Sequence, residues 1–285
     1  MTPKPIKKIG VFLRPSTPDL KSTFEEMQAK FSAHNIELKL DSISGAMIGF
    51  RGVEFGTLVE WSDILLSIGG DGTLIAMVRR AHGKNIACVG INTGRLGFLT
   101  AIMPNDLESF ILELKNAHYE IKEHLMLECS IIREGARYYT FGALNEFLIS
   151  KQSLSGLIDI EAKIEDYSFN TYFCDSLIIS TPTGSTAYNI SAGGSVVYPY
   201  SKNILLTPVA PHSLTQRPLI IDSSMRLEFS VKESALLIID GQENIDILPK
   251  DRICIQESAQ CAYLIYPKAR NYFQVLREKF KWGEL

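Results

Sequence analysis

The sequence has few features of a secreted, zinc-binding or membrane protein. It contains five cysteines, an odd number, and no two of them form a Cys-x-x-Cys pair. They are Cys88, Cys129, Cys174, Cys254 and Cys261. We interpret them as free thiols in a reducing cytoplasm rather than as a disulfide framework or a zinc site. Because no apolar stretch is long enough for a signal peptide or a bilayer span, we expect a cytoplasmic protein without a membrane partner.

An excess of charge of either sign is also missing. The 29 Lys and Arg residues nearly balance the 32 Asp and Glu residues, and the net charge is -3. This balance gives no reason to expect nucleic acid as a partner. The chain also lacks both the P-loop pattern and a Gly-x-Gly-x-x-Gly that follows a strand, so phosphate would have to be bound by another loop.

The first part of the chain alternates strand-like runs with helical patterns. Leu20, Phe24, Met27 and Phe31 recur at the spacing of one helix face. Strands are predicted at 9–13, 36–40, 63–68 and 86–90, and further helices at 74–81 and 105–117. This alternation is typical of a parallel sheet covered by helices, and it predicts an α/β domain over residues 1–120.

From Tyr119 onward, short strands separated by polar turns dominate the pattern. They are predicted at 128–132, 145–150, 158–164, 176–180, 219–221, 226–231, 236–239, 252–256 and 263–266. We therefore expect a mainly β domain over residues 121–270. A helical pattern returns at 272–280, and we expect the C-terminal helix, within 271–285, to pack back on the α/β domain.

One loop combines the end of a strand with three glycines and a carboxylate. The apolar run 65–68 leads into Gly69, Gly70, Asp71, Gly72 and Thr73, and a helical pattern follows. Glycines let a ligand approach the backbone closely, and a helix N-terminus favours phosphate. A carboxylate at the end of a parallel strand can accept a proton from a hydroxyl or hold a metal beside a phosphate. The loop therefore predicts phosphoryl transfer, although a tight turn with Asp71 as a helix cap is an alternative.

A second segment is rich in hydroxyl groups and follows the predicted strand 176–180. It reads Ser-Thr-Pro-Thr-Gly-Ser-Thr-Ala-Tyr-Asn over 180–189, and Ser-Ala-Gly-Gly follows at 191–194. Such a segment can hydrogen-bond ribose or phosphate while leaving space for a flat base. A capped turn without a ligand is the alternative.

Together these motifs resemble those of the NAD kinases, in the same order and over nearly the whole chain. The resemblance is also carried by 90–99 (Gly-Ile-Asn-Thr-Gly-Arg-Leu-Gly-Phe-Leu), Asn145-Glu146, Asp175, 211–214 (Pro-His-Ser-Leu) and Arg217-Pro218. Diacylglycerol kinases, sphingosine kinases and phosphofructokinases have similar glycine-aspartate loops, but the combination with Pro-Thr-Gly-Ser-Thr-Ala-Tyr is specific. The resemblance implies a two-domain fold and transfer of a phosphoryl group to the 2′-hydroxyl of the adenosine ribose of NAD, which gives NADP.

The resemblance further implies a role for each matching residue. Asp71 would be the general base that activates the 2′-hydroxyl. The residues that bind NAD would be Gly72, Phe98, Asn145, Glu146, Asp175, Thr183, Thr186, Ala187, Tyr188, Ser191 and Gln242. The residues that meet the phosphates of ATP would be Gly69, Gly70, Thr73 and His212. From the residues alone, Phe98 could instead be a core aromatic, Glu146 an edge-strand charge, and His212 a surface or core histidine.

The chain departs from the family pattern at one place. The family usually has a glycine after the aspartate that matches Asp175, and some bacterial members have an arginine before it. This chain has Cys174 before Asp175 and Ser176 after it. Ser176 could alter a backbone conformation that requires glycine, and the missing arginine puts a charge contact to the substrate in doubt.

The expected partners are NAD, a phosphate donor and further copies of the chain. ATP is highly anionic, so we expect Mg²⁺ or another divalent cation to arrive with it, without a separate metal cluster in the protein. ATP and polyphosphate both stay open as donors. The resemblance implies a homotetramer or homodimer. The alternative functions are a lipid or sugar kinase and a non-catalytic dinucleotide sensor. The aspartate at position 71 argues against a sensor, because binding alone would tolerate Asn there.

Overall fold

The computed structural model describes residues 1–94, 97–153 and 156–283. In chain order the strands are β1 (Lys8–Leu13), β2 (Glu37–Asp41), β3 (Gly52–Val53), β4 (Ile64–Gly69), β5 (Ala87–Asn92), β6 (Tyr119–His124), β7 (Leu127–Arg133), β8 (Ala136–Ala143), β9 (Glu146–Lys151), β10 (Ile158–Ile164), β11 (Tyr167–Cys174), β12 (Ser176–Ser180), β13 (Asn203–Val209), β14 (Leu219–Asp222), β15 (Leu227–Val231), β16 (Ala235–Ile239), β17 (Glu243–Ile247), β18 (Arg252–Glu257) and β19 (Ala262–Pro267). The helices are α1 (Leu20–Ala33), α2 (Ser42–Ile48), α3 (Phe55–Trp61), α4 (Asp71–Arg80), α5 (Leu107–Lys115), α6 (Tyr188–Ser191) and α7 (Tyr272–Phe280). Short 3-10 turns lie at Pro104–Asp106 and Thr183–Thr186.

These elements form two compact units. The first unit joins Met1–Glu123 with Ala262–Leu285, and the second is the continuous stretch His124–Cys261. In the first unit a sheet of seven strands has the order β3-β2-β1-β4-β5-β19-β6. Neighbouring strands from β3 to β19 in that order run parallel. The prediction of an α/β unit with a parallel sheet is confirmed.

The apolar residues of the first unit explain why its sheet is parallel and covered. All residues of β4 and β5 are buried, as in sheets with helices on both faces. Phe24, Met27 and Phe31 of α1 are buried in the core of this unit, as their helical spacing predicts. None of the helices in the described ranges is both long enough and apolar enough to cross a bilayer.

The segment between β2 and β4 contains two helices that the apolar pattern did not predict. Each is seven residues long, which is too short for helical periodicity to stand out. Side-chain caps fix them instead. The Asp41 carboxylate accepts hydrogen bonds from the backbone N–H groups of Ile43 and Ser44 at the start of α2, and Glu54 accepts one from Thr57 at the start of α3.

The strand β19 lies in the first unit, whereas the sequence pattern placed residues 263–266 in the β domain. It pairs in parallel with β5, with Tyr263 opposite Ala87 and Leu264 opposite Cys88. The run Leu264–Tyr266 is buried, as expected for a strand inside a covered sheet. An apolar run of this length does not show which sheet it will join, because pairing partners are set by contacts distant in sequence.

The second unit consists of two antiparallel sheets of six strands each. Their orders are β11-β10-β15-β18-β7-β8 and β14-β13-β12-β9-β16-β17. One core holds side chains from both sheets, among them Phe229 and Ile253 from the first and Phe147 and Leu177 from the second. The mainly β character predicted for this part of the chain is confirmed. Four strands of this unit were not predicted. Of these, β8, β11 and β17 are edge strands with exposed side chains, and β13 contains Pro208.

Candidate functional site

The glycine loop of the first unit joins β4 directly to α4. A Cβ at Gly69 would lie 2.4 Å from Thr73 Oγ1, so the turn leaves no space for a side chain there. Gly70 is different, because nothing lies within 4 Å of the position that its Cβ would take. The backbone at Gly70 therefore faces open space at the N-terminus of α4, where the helix dipole favours an anion.

The Asp71 carboxylate is held by the backbone of a neighbouring loop. Its Oδ1 accepts hydrogen bonds from the N–H groups of Leu99 (3.2 Å) and Thr100 (2.8 Å), and from Thr100 Oγ1 (2.7 Å). Its Oδ2 accepts one from the Phe98 N–H at 2.7 Å. These bonds fix the carboxylate against the 98–100 loop, so helix capping alone does not explain Asp71. Oδ2 keeps capacity to accept a further hydrogen bond.

Small and polar side chains shape the loop that holds Asp71. A Cβ at Gly97 would lie 2.1 Å from Asp71 Oδ1, so glycine alone lets the loop approach this closely. Asn92 Nδ2 donates to Thr100 Oγ1 at 2.9 Å, and Asn92 Oδ1 accepts from the Gly94 N–H at 2.8 Å. These contacts account for part of the 90–99 motif. Arg95 and Leu96 of that motif lie outside the described residues.

Phe98 is half-buried and contacts the C-terminal part of the first unit. Its ring lies 5.6 Å from the ring of Phe280, centroid to centroid. Its carbonyl accepts a hydrogen bond from Arg270 Nη2, and the Arg270 guanidinium lies 3.9 Å from the centroid of the Tyr266 ring. Phe98 therefore has a packing role in addition to the contact of its N–H with Asp71.

In the second unit, Asn145 and Glu146 lie at the start of β9. This strand is central, between β12 and β16, so the edge-strand alternative for Glu146 is wrong. Both residues are buried, and Asn145 Oδ1 and Glu146 Oε2 have no hydrogen-bond partner among the residues that the structure describes. Burial, together with the nearby Asp240 charge, raises the pKa of Glu146 to about 8. Two buried acceptors without donors are the strongest sign of a ligand in this unit.

Asp240 is a residue of this cluster that the sequence analysis missed. Its carboxylate accepts hydrogen bonds from the backbone N–H groups of Leu144, Asn145 and Glu146 at 3.0, 2.8 and 3.0 Å. It follows β16, and both it and Gly241 have positive φ. The Asp-Gly pair between two strand-like runs is the signal that could have identified this turn.

Several hydroxyl groups of the segment 180–189 form hydrogen bonds within the second unit. Ser180 Oγ donates to the carbonyl of Asn145 (3.1 Å), and Thr181 Oγ1 donates to that of Leu144 (2.6 Å). Thr183 Oγ1 lies 2.8 Å from Nδ1 of the buried His124. The hydroxyl groups of Ser180 and Thr181 therefore tie the segment to the backbone beside Glu146.

The remaining candidates from this segment are more open to solvent. Thr186 and Ala187 are half-buried, and Tyr188 and Ser191 are exposed. Gln242 is exposed on the hairpin that carries Asp240, and its backbone N–H donates to the carbonyl of Ile239 at 2.9 Å. Of the predicted NAD-binding residues in this unit, Asn145, Glu146 and Thr183 are therefore the buried group.

Asp175 and His212 lie away from this buried group. Ser180, at one end of β12, pairs with Glu146, whereas Asp175 precedes the other end, roughly 17 Å away at the rise of a strand. Asp175 forms an ion pair with Lys151. His212 is exposed, and its ring contacts that of Phe173 at 5.5 Å. The structure does not bring these two residues to Glu146 within one chain.

Ser176 does not strain the backbone. It pairs with Ser150 and Val209 in a regular antiparallel ladder, and its φ is not positive. The conformation at this position is open to any residue, so the absence of the family's glycine has no conformational cost here. In the described stretches of the chain, no group of three or more His, Cys, Asp or Glu side chains is arranged to hold a metal ion.

Two family profiles match the chain in sequence. The one described as ATP-NAD kinase N-terminal domain matches residues 21–119, and the one described as ATP-NAD kinase C-terminal domain matches residues 144–266. The NAD kinase of Helicobacter hepaticus is 55% identical, covering 98% of this chain and 97% of its own length. The NAD kinase of Wolinella succinogenes is 49% identical with the same coverage.

A solved structure also has a similar fold. The crystal structure of a yeast NADH kinase complexed with NADH superposes with a TM-score of 0.91 at 22% identity. The match covers 99% of this chain and 89% of the yeast chain. This likeness shows that the two chains share their architecture.

Proposed function

The chain belongs to the NAD kinase family, and from this premise we propose that it phosphorylates the 2′-hydroxyl of the adenosine ribose of NAD to give NADP, with Asp71 as the general base. Family membership confirms the resemblance predicted from the motifs. The observation that carries the role of Asp71 is its carboxylate, fixed at the N-terminus of α4 beside the open face of Gly70.

The proposed step moves one phosphoryl group and one proton. The 2′-oxygen of NAD attacks the terminal phosphorus of the donor, and the bond from that phosphorus to the leaving oxygen of ADP breaks. The proton of the 2′-hydroxyl passes to Asp71 Oδ2, the oxygen with the fewer hydrogen bonds. Because the 98–100 loop holds the carboxylate in place, its contribution is positioning as well as basicity.

The donor phosphates are assigned to the glycine loop. Gly70 faces open space, and the dipole of α4, which begins at Asp71, favours negative charge at this point. Gly69 and Thr73 are buried, and they are assigned to the donor by resemblance. We propose that Mg²⁺ or another divalent cation enters bound to ATP as part of the substrate. It would screen the donor phosphates while Asp71 accepts the proton. His212 is assigned to the donor by resemblance alone.

Within the second unit, buried polar groups are assigned to the acceptor. Asn145 and Glu146 offer buried oxygens to the adenosine, and a carboxylate can accept hydrogen bonds from both a ribose hydroxyl and an amine. The other assigned contacts are Gly72, Phe98, Asp175, Thr183, Thr186, Ala187, Tyr188, Ser191 and Gln242. Because Asp175 lies at the far end of β12 from Glu146, we propose that it acts in a homo-oligomer, a tetramer or dimer in the cytoplasm.

The test compares Asp71→Asn with Asp19→Asn in purified protein. Asp19 lies at the N-cap of α1, and its side chain makes no capping bond. With Mg-ATP and NAD, the native protein should form NADP. Asp71→Asn should lower kcat by about 10²- to 10⁴-fold while the Kd for NAD stays within about twofold. Asp19→Asn should behave like the native protein.

Other outcomes identify the competing functions. Binding of NAD without NADP formation, with either ATP or polyphosphate as donor, would indicate a dinucleotide sensor. Phosphorylation of a lipid or a sugar in place of NAD would show that the assignment of NAD as the acceptor is wrong. Equal activity of Asp71→Asn and the native protein would remove Asp71 from the proton transfer.

A further inference from the structure

The turn after β16 places a carboxylate inside the second unit rather than in solvent. Asp240 and Gly241 have φ of 49° and 65°, a conformation that Asp-Gly pairs favour in hairpins. Glu134, in the hairpin between β7 and β8, has a similar φ of 51° but an exposed side chain. Asp240 is buried, with 7% of its surface exposed. The turn explains the backbone at Asp240 but not the burial of its charge.

Three hydrogen bonds explain that burial. The Asp240 carboxylate accepts from three consecutive backbone N–H groups, those of Leu144, Asn145 and Glu146. The Asp240 N–H in turn donates to the carbonyl of Glu146 at 3.0 Å. Charge-assisted bonds of this kind hold a backbone segment more firmly than neutral ones. The entry into β9 is therefore fixed by Asp240 on one side.

The segment that Asp240 fixes carries the two buried acceptors described above. Asn145 and Glu146 are 8% and 7% exposed, and neither Asn145 Oδ1 nor Glu146 Oε2 meets a donor from the described part of the chain. Buried acceptors without partners are costly unless a ligand supplies donors. A nucleoside offers such donors in its ribose hydroxyls and its exocyclic amine.

We propose that Asp240 is a positioning residue for the acceptor nucleotide, holding the Leu144–Glu146 backbone so that the Asn145 and Glu146 oxygens meet donors on the adenosine. This inference rests on the proposed function. It assigns to Asp240 no contact with the substrate, since its carboxylate is buried against the backbone N–H groups of Leu144, Asn145 and Glu146.

The charge of Asp240 has a second effect on the same site. Burial and this charge raise the pKa of Glu146 to about 8, and Asp240 is the ionisable residue whose charge acts on Glu146 within the described part of this unit. On the neighbouring strand β12, the residue opposite Glu146 is the uncharged Ser180. Two ribose or amine donors are accepted best by an ionised carboxylate, so NAD should bind more tightly as the pH rises through about 8.

Two substitutions separate the position of Asp240 from its charge. Asp240→Asn keeps the size and the tolerance of positive φ, but its amide nitrogen cannot accept the Leu144 N–H, and the charge is lost. Asp240→Glu keeps the charge but displaces the carboxylate. We would measure the Kd for NAD by calorimetry and the kinetic constants for NADP formation from pH 6 to 9, with folding checked by circular dichroism.

For Asp240→Asn we expect a KM for NAD raised about 5- to 20-fold, a kcat changed less, and a lower pH midpoint for NAD binding, because the charge of Asp240 raises the pKa of Glu146 while burial, the larger cause, remains. For Asp240→Glu we expect the raised KM with the pH midpoint near that of the native protein. Glu134→Gln, at the matched exposed turn, should change neither quantity.

The result that overturns the proposal is a folded Asp240→Asn with the native KM and the native pH midpoint. If Asp240→Asn does not fold, Asp240→Glu decides alone, and a native KM in that variant overturns the proposal. Failure of the proposed function would be visible separately, because the native protein itself would then make no NADP.

Discussion

At the scale of single residues, Glu146 combines burial with a carboxyl group that favours its neutral form. Its pKa is raised from 4.5 to about 8, chiefly by burial and further by Asp240. The folded state therefore binds a proton between these two values that the unfolded state has already lost. Stability from this group is present below pH 4.5 and is lost as the pH rises towards about 8.

Glu146→Gln should remove this pH dependence, because an amide cannot ionise. The free energy of unfolding of the variant, relative to that of the native protein, should rise between pH 5 and 8, by at most about 1.4 kcal/mol per pH unit. Urea unfolding at each pH measures this difference. Glu25→Gln, at an exposed position on α1, is the control and should show a constant difference. A constant difference for Glu146→Gln too would mean that its carboxyl group is already ionised in the fold.

At the scale of secondary-structure elements, β19 completes the parallel sheet from the far end of the chain. Ile265 is 1% exposed and belongs to the core of the first unit, where it joins side chains that come from residues 6–119. Ile265→Ala should lower the free energy of unfolding by about 2–5 kcal/mol. Ile43→Ala on α2, where the side chain is 65% exposed, should change it by no more than about 0.5 kcal/mol. Equal effects of the two substitutions would show that β19 is not part of this core.

The elements also show what the sequence could and could not reveal. Local signals were sufficient for α1, whose buried face repeats at helical spacing, and for the strand-glycine-helix unit that carries Asp71. They were insufficient for β19, because its sheet depends on pairing with β5, more than 170 residues earlier. Asp240 was missed for the same reason. Its carboxylate acts on residues about 95 positions away, so its turn was visible in the sequence but its partners were not.

At the scale of the whole molecule, the chain leaves the first unit at residue 123 and returns to it at residue 262. The second unit is one continuous stretch, and the described side chains of its core come from residues 125–255. The first unit needs both of its segments, because β19 pairs with β5 and Ile265 lies in its core. The two units should therefore differ in their ability to fold from a single stretch of chain.

Three fragments test this difference. The fragment 124–261 should fold alone and unfold cooperatively in urea, because both of its sheets and its core are complete. The fragment 1–123 should lack cooperative unfolding, since β5 would have an unpaired edge where β19 belongs. Joining 1–123 to 262–285 through a linker of about five glycine and serine residues should restore cooperative unfolding. A cooperative transition in 1–123 alone, with the same midpoint as the joined fragment, would show that the returning segment adds nothing to the stability of the first unit.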